Sequence, residues 1–130
     1  MATILIIEGI REDRLFLKKR LQQEFSVITL SSVSEAIAFS QSHKFEVAVI
    51  SVNERKLLTA MREFQVLKVT CKHEFKAIAI TNGLEDFHDT CTVIHAGFSA
   101  VITKPLCSKT LINIIEPALR KETKTTFTNN

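Results

Sequence analysis

Five short runs of β-branched and aliphatic residues recur along this chain, each followed by a longer amphipathic stretch. That alternation limits the fold more than any other feature. The runs are TILII (3–7), SVITL (26–30), EVAVIS (46–51), KAIAIT (76–81) and AVIT (100–103). Several are apolar at nearly every position rather than at alternate ones. A strand of that kind needs cover on both faces, which is the condition of a parallel sheet.

The stretches between them carry helical spacing. Ile10, Leu17, Leu21 and Phe25 form one stripe, Val33, Ala36, Ile37 and Ser40 a second, and Leu57, Leu58, Met61, Phe64 and Leu67 a third. Ser32 and Glu35 have the spacing of a capping box at the start of the second. The fourth stretch follows Gly83 and stops at Gly97, a C-cap residue. The fifth carries Leu111, Ile114, Ile115 and Ala118, with Pro117 set to kink or end it. Phe87 and Phe98 are expected in the core.

Five strand–helix repeats joined by right-handed crossovers predict an α/β fold, a doubly wound five-stranded parallel sheet with five helices on its two faces. A chain of 130 residues is the size of one domain. Residues 1–121 are expected to form it, with the polar 122–130 as a disordered tail. No apolar run approaches the ~20 residues of a membrane span, and the N-terminus lacks the basic region of a secretion signal. The net charge of +3 is small and its cations are scattered, which argues against nucleic acid as a partner. Three cysteines without a CxxC pair fit reduced thiols and a cytoplasmic setting.

In such sheets, sites form at the C-terminal ends of the strands, near the point where strand order reverses. The residues there are Glu8 and Gly9, Ser51 to Glu54, Thr81 and Asn82, and Lys104 and Pro105. Of these, Glu8, Ser51, Thr81 and Lys104 supply one acid, two hydroxyls and one amine. With ILIIE followed by Arg14, FEVAVIS, AIAIT, and AGFSAVITKP followed by Leu111, residues 3–120 resemble the receiver domain of two-component response regulators. The TKP ending is the most specific of these pieces, and all occur in the family's order and spacing. The resemblance implies the flavodoxin-like, receiver-type version of the fold.

In active receivers an aspartate ending the third strand accepts a phosphoryl group from a histidine kinase, and a pair of acids after the first strand holds Mg²⁺. A Thr or Ser after the fourth strand and a Lys after the fifth contact the phosphoryl group. Thr81 and Lys104 match these roles, and Glu8 matches the first acid. Gly9 stands where the second acid belongs, and Ser51 stands at the phosphorylated position. Mg²⁺ prefers octahedral oxygen ligands, usually carboxylates and water. A pocket with Glu8 alone is expected to hold it poorly, so no cofactor is assigned. Glu54, which borders the pocket beside Asn53, leaves weak Mg²⁺ binding open. A serine is also a poor nucleophile without a base to activate it. The position three before the lysine, where receivers often carry an aromatic switch residue, is Val101.

The resemblance therefore implies a degenerate pseudo-receiver, a non-enzymatic signalling module that acts through protein contact. Its partner would be a sensor kinase, a response regulator or an output domain, met through the face of the fourth helix, fifth strand and fifth helix. Two alternatives stand beside it. One is a phosphoacceptor using Ser51 or another residue in a phosphorelay. The other is an unrelated small-ligand binder on the same fold, although no GxGxxG follows the first strand. Glu8 and Lys104 are expected to form a structural ion pair, with Glu8 as the lysine's one partner, and Ser51 and Thr81 a hydroxyl hydrogen bond.

Two further groups have ordinary readings that weigh more than the functional ones. His88, Cys91 and His95 share a face of the fourth helix, and both residue types bind Zn²⁺. No fourth ligand is evident, since nothing places Cys71 and His73 beside them, and a solvated face is the simpler account. Cys107 stands where the last helix begins, and a helix dipole lowers a thiol pKa there. A helix-start residue without chemistry explains it as well.

Overall fold

Each β-branched run forms a strand and each amphipathic stretch a helix in the computed structural model, which describes residues 2–83 and 87–120. The tail expected over 122–130 and the side chain of Phe87 lie outside the described residues. The elements are β1 (Thr3–Ile7), α1 (Arg11–Leu21), β2 (Ser26–Leu30), α2 (Val33–Ser40) and β3 (Val47–Ser51). A single 3-10 turn (Glu54–Lys56) leads into α3 (Leu57–Thr70), followed by β4 (Lys76–Thr81), α4 (Phe87–His95), β5 (Ala100–Thr103) and α5 (Ser108–Leu119).

The five strands form one sheet in the order β2-β1-β3-β4-β5, and every pair is parallel. The chain steps outward from β1 to β2, then returns past β1 to β3. Strand order therefore reverses between β1 and β3. Pairing of Ile7 with Ile50, Ser51 with Ile80 and Thr81 with Thr103 brings β1, β3, β4 and β5 to a common C-terminal edge.

Continuous apolar strands feed two core layers, one on each face. On one side Leu5, Ile7, Ala48, Ile50, Ala77 and Ala79 pack with Ala36 of α2, Met61, Phe64 and Leu67 of α3, and Val93 of α4. On the other, Ile4, Ile6, Val47, Val49, Ile78 and Ile80 pack with Leu17 and Leu21 of α1 and Leu111 and Ile115 of α5. Alternate residues of each strand thus enter opposite layers, as a pleated strand dictates. Phe98 joins the first layer, stacked on Phe64 with ring centroids 4.0 Å apart.

Two residues of the expected stripes are exposed. Ile10 is 52% accessible because it is the N-cap of α1 and sits in the β1–α1 turn, ahead of the helical periodicity. Leu58 is 67% accessible. One residue beyond Leu57, it lies about 100° further round α3, outside the packed stripe.

The Ser32 hydroxyl caps α2 by accepting from the Glu35 amide at 3.2 Å. The return arm differs from a standard capping box: Glu35 accepts from the amide and hydroxyl of Ser31, at 2.8 and 3.0 Å. Gly97 closes α4 at φ +117°, a conformation that side chains rarely adopt, and donates to the Ile94 carbonyl at 3.0 Å. Pro117 lies inside α5, which ends two residues later at Leu119.

Candidate functional site

The β1–α1 turn builds one wall of the site. Glu8 follows β1 directly and is 2% exposed. Its Oε2 accepts from the Ile10 amide at 3.0 Å, which fixes the carboxylate against its own turn. Arg14, one turn into α1, donates to the Glu8 carbonyl at 2.8 Å. Gly9 is exposed and outside the positive-φ region, and a Cβ there would meet nothing nearer than the Ser31 carbonyl at 3.7 Å. The turn therefore does not need glycine, and a larger side chain at this position would reach solvent.

Lys104 supplies the opposite wall. It follows β5, and its amide donates to the Thr81 carbonyl at 2.8 Å, so the two strand ends are tied together. The bond to Pro105 is cis. Lys104 Nζ lies 3.2 Å from Glu8 Oε1 and 2.6 Å from Asp13 Oδ2. Asp13 is a second partner that the sequence reading missed. It belongs to the first turn of α1, and a helix that starts directly beyond a parallel strand overhangs the strand ends. The one available signal was its place in that first turn, where an acid also suits the helix dipole. Burial pulls the Lys104 pKa down, but hydrogen bonds and charge from Asp13 and Glu8 outweigh that and hold it above its ordinary value. The ammonium is thus clamped between two carboxylates.

Ser51 ends β3 and is half-buried, and Thr81 ends β4 and is buried. The expected hydrogen bond between them does not form: Thr81 Oγ1 is enclosed without a partner. Parallel strand ends hold their side chains at the spacing of adjacent strands, and the two hydroxyls also fall out of register, because Ser51 pairs with Ile80. Glu54 opens the 3-10 turn beyond β3, and its Oε1 is likewise buried without a hydrogen-bond partner. Asn53 turns back on its own backbone and accepts from the Arg55 amide at 2.9 Å. Val101 is half-buried on β5 and packs against the layer that includes α3 and α4.

The remaining candidates lie apart. Among the described residues, no group of three His, Cys, Asp or Glu side chains is placed to hold a metal ion, so His88, Cys91 and His95 are not gathered into such a group. Cys71 and His73 contact each other, Sγ to Nδ1 at 3.4 Å, at the N-terminal edge of the sheet. His73 Nε2 accepts there from the Phe45 amide at 3.2 Å. Cys107 is the exposed N-cap of α5, and the Thr110 and Lys109 amides lower its thiol pKa.

No protein-family model matches the chain, and no curated protein matches it significantly. Solved structures do. A two-component response regulator from Clostridium difficile aligns with a TM-score of 0.80 at 18% identity, over 95% of this chain and 100% of its own. A response regulator from Thermotoga maritima aligns at 0.79 and 18% identity, over 92% and 98%. The pilus assembly protein CpaE from Caulobacter crescentus aligns at 0.74 and 14% identity, over 90% and 98%. Identities this low speak to architecture. Strand order, helix placement and near-complete coverage agree that this chain has the flavodoxin-like fold of response regulator receiver domains.

Proposed function

We propose that the chain is a degenerate receiver, a non-enzymatic signalling module that works through protein contact without aspartyl phosphorylation. The observation that carries this reading is the distribution of charge at the strand ends. Lys104 is bonded to Glu8 and Asp13, while β3 ends in the hydroxyl of Ser51. Phosphoryl transfer relies on positioning and on neutralising the charge of the group in flight. Here the one lysine at the edge is already matched by two carboxylates, and the acceptor position carries no anion. Among the described residues, no side chain that could act as a base hydrogen-bonds to the serine hydroxyl to raise its nucleophilicity. In this reading Glu8, Gly9, Ser51, Thr81 and Lys104 are the remnant of a phosphorylation pocket, and Lys104 serves to neutralise buried acid.

The partner we infer is a sensor kinase, a response regulator or an output domain, docking through α4, β5 and α5 in a cytoplasmic setting. Receiver-fold proteins among the similar structures include a response regulator receiver modulated diguanylate cyclase from Pelobacter carbinolicus, 21% identical. Val101 is small and aliphatic, so this face would be constitutive rather than thrown by an aromatic rotamer. No helix among the described residues is long and apolar enough to cross a membrane.

The test is incubation with Mg²⁺ and acetyl phosphate, followed by intact-mass spectrometry. The expected result is no phosphoryl adduct. A stoichiometric adduct, on Ser51 or elsewhere, would overturn the proposal in favour of a phosphoacceptor. The double variant Gly9→Asp with Ser51→Asp should gain an aspartyl adduct, because Gly9 has room for a side chain.

A further inference from the structure

The pole of the molecule opposite Lys104 carries a groove of about 1010 Å³ at the N-terminal edge of β3, β4 and β5. Lys44, Lys68, Lys72, Lys76 and Arg120 line it. All five are exposed. Lys68 is occupied, since its ammonium donates to the Ala96 carbonyl at 3.2 Å and lies 5.4 Å from the centre of the Phe64 ring. The other four make no ion pair among the described residues. Only Glu46 and Glu74 oppose them in the lining, and Glu46 accepts from the Thr3 amide at 2.7 Å. Five cations against two carboxylates leave this lining with a formal excess of three positive charges.

Half-buried Phe75 and Leu119 also line the groove, and Phe75 packs on the buried Phe45 with ring centroids 5.0 Å apart. A smaller hollow of about 260 Å³ beside β5 and α5 shares Lys76, Ser99, Ala118 and Arg120 with it, so the concave surface continues toward the sheet edge. Cations without ion pairs among the described residues, set beside Phe75 and Leu119, complement a segment that carries both carboxylates and apolar side chains. A continuous phosphate backbone would fit less well, because two glutamates interrupt the basic rim and these two apolar side chains offer nothing to a uniformly charged polymer.

We infer that this groove is a docking site for an acidic peptide segment of a partner protein, with its carboxylates on the basic rim and its apolar side chains over Phe75. The site does not depend on the reading of the strand-end pocket, which lies at the other pole. Charge complementarity of this kind sets encounter rate and orientation, and a saltier solvent screens it.

The test is fluorescence anisotropy with a labelled peptide of repeated glutamate, aspartate and leucine. Saturable binding that weakens with added salt is expected. Lys72→Glu with Lys76→Glu should abolish it, and the milder Lys72→Gln with Lys76→Gln should weaken it roughly tenfold. Lys18→Glu with Lys19→Glu on α1 makes the same change in net charge away from the groove, and should leave affinity unaltered. Circular dichroism on each variant separates a lost site from a lost fold. The inference is overturned by absent binding, by equal loss in the α1 variant, or by equal affinity for a leucine-free acidic peptide. Tighter binding to duplex DNA or to phosphatidylserine vesicles would overturn it too.

Discussion

Lys104 is where the energetics of the strand-end site concentrate. Glu8 is nearly inaccessible to solvent, and its carboxylate has the ammonium on one oxygen and a backbone amide on the other. Removing the cation strands a buried anion, which costs far more than the pair contributes when intact. Lys104→Met should therefore lower stability by about 3 kcal/mol, read as a shift in the urea midpoint. Glu8→Gln should cost less, because Asp13 still faces the lysine. The lysine also sets a pH dependence. Its folded pKa lies above the ordinary 10.5, so the native state holds the proton more tightly than the unfolded chain. That contribution is complete below the ordinary value and disappears as pH rises through the folded one. Urea unfolding followed across the alkaline range should show a loss that Lys104→Met lacks. The chain has no tyrosine whose ionisation would overlap that window.

At the scale of elements, what was legible in the sequence followed local spacing. Strand β4 spans Lys76–Thr81, which is where its apolar run lies, because continuous β-branched sequence has no alternative as good as a doubly covered strand. The α2 cap was legible for the same reason: Ser32 and Glu35 need only one turn of helix to meet. Ser32→Ala should cost about 1 kcal/mol of stability in thermal or urea unfolding. Hydrogen bonds from the Ser31 amide and hydroxyl hold the Glu35 carboxyl below its ordinary value of 4.5. Its support is therefore present above that value and is lost as pH falls. Less legible were residues at element starts. Ile10 and Leu58 fit an apolar stripe by count, yet both are exposed, since Ile10 precedes α1 as its N-cap and Leu58 lies about 100° away from the packed stripe of α3. Asp13 is the counterpart among polar residues. Its spacing suits an ordinary first-turn acid, and only the position of α1 over the sheet edge turns it toward Lys104.

Across the whole molecule the sheet divides the interior into two layers that share no side chains. Phe64 anchors one against Phe98 and Phe75, and Leu111 anchors the other from α5. Phe64→Ala should cost about 3–5 kcal/mol and Leu111→Ala about 2–5 kcal/mol. Because the sheet separates them, the double variant should equal the sum within about 0.5 kcal/mol in urea unfolding. A larger deviation would mean that the layers repack together. The molecule also has two unlike poles, with clamped charge at the strand C-termini and, among the described residues, cations without ion pairs at the N-termini.

Alternation of apolar runs with amphipathic stretches was enough to determine five parallel strands, five helices and the strand ends as the place for Glu8, Ser51, Thr81 and Lys104. Those features depend on residues a few positions apart, so the physics is contained in short segments. The third member of the lysine cluster, the missing bond between Ser51 and Thr81, and the gathering of Lys44, Lys72, Lys76 and Arg120 around one groove were decided by tertiary structure alone. Each depends on how elements distant in the chain are set over one another, and charge or hydroxyl groups interact through space, whatever their separation along the sequence.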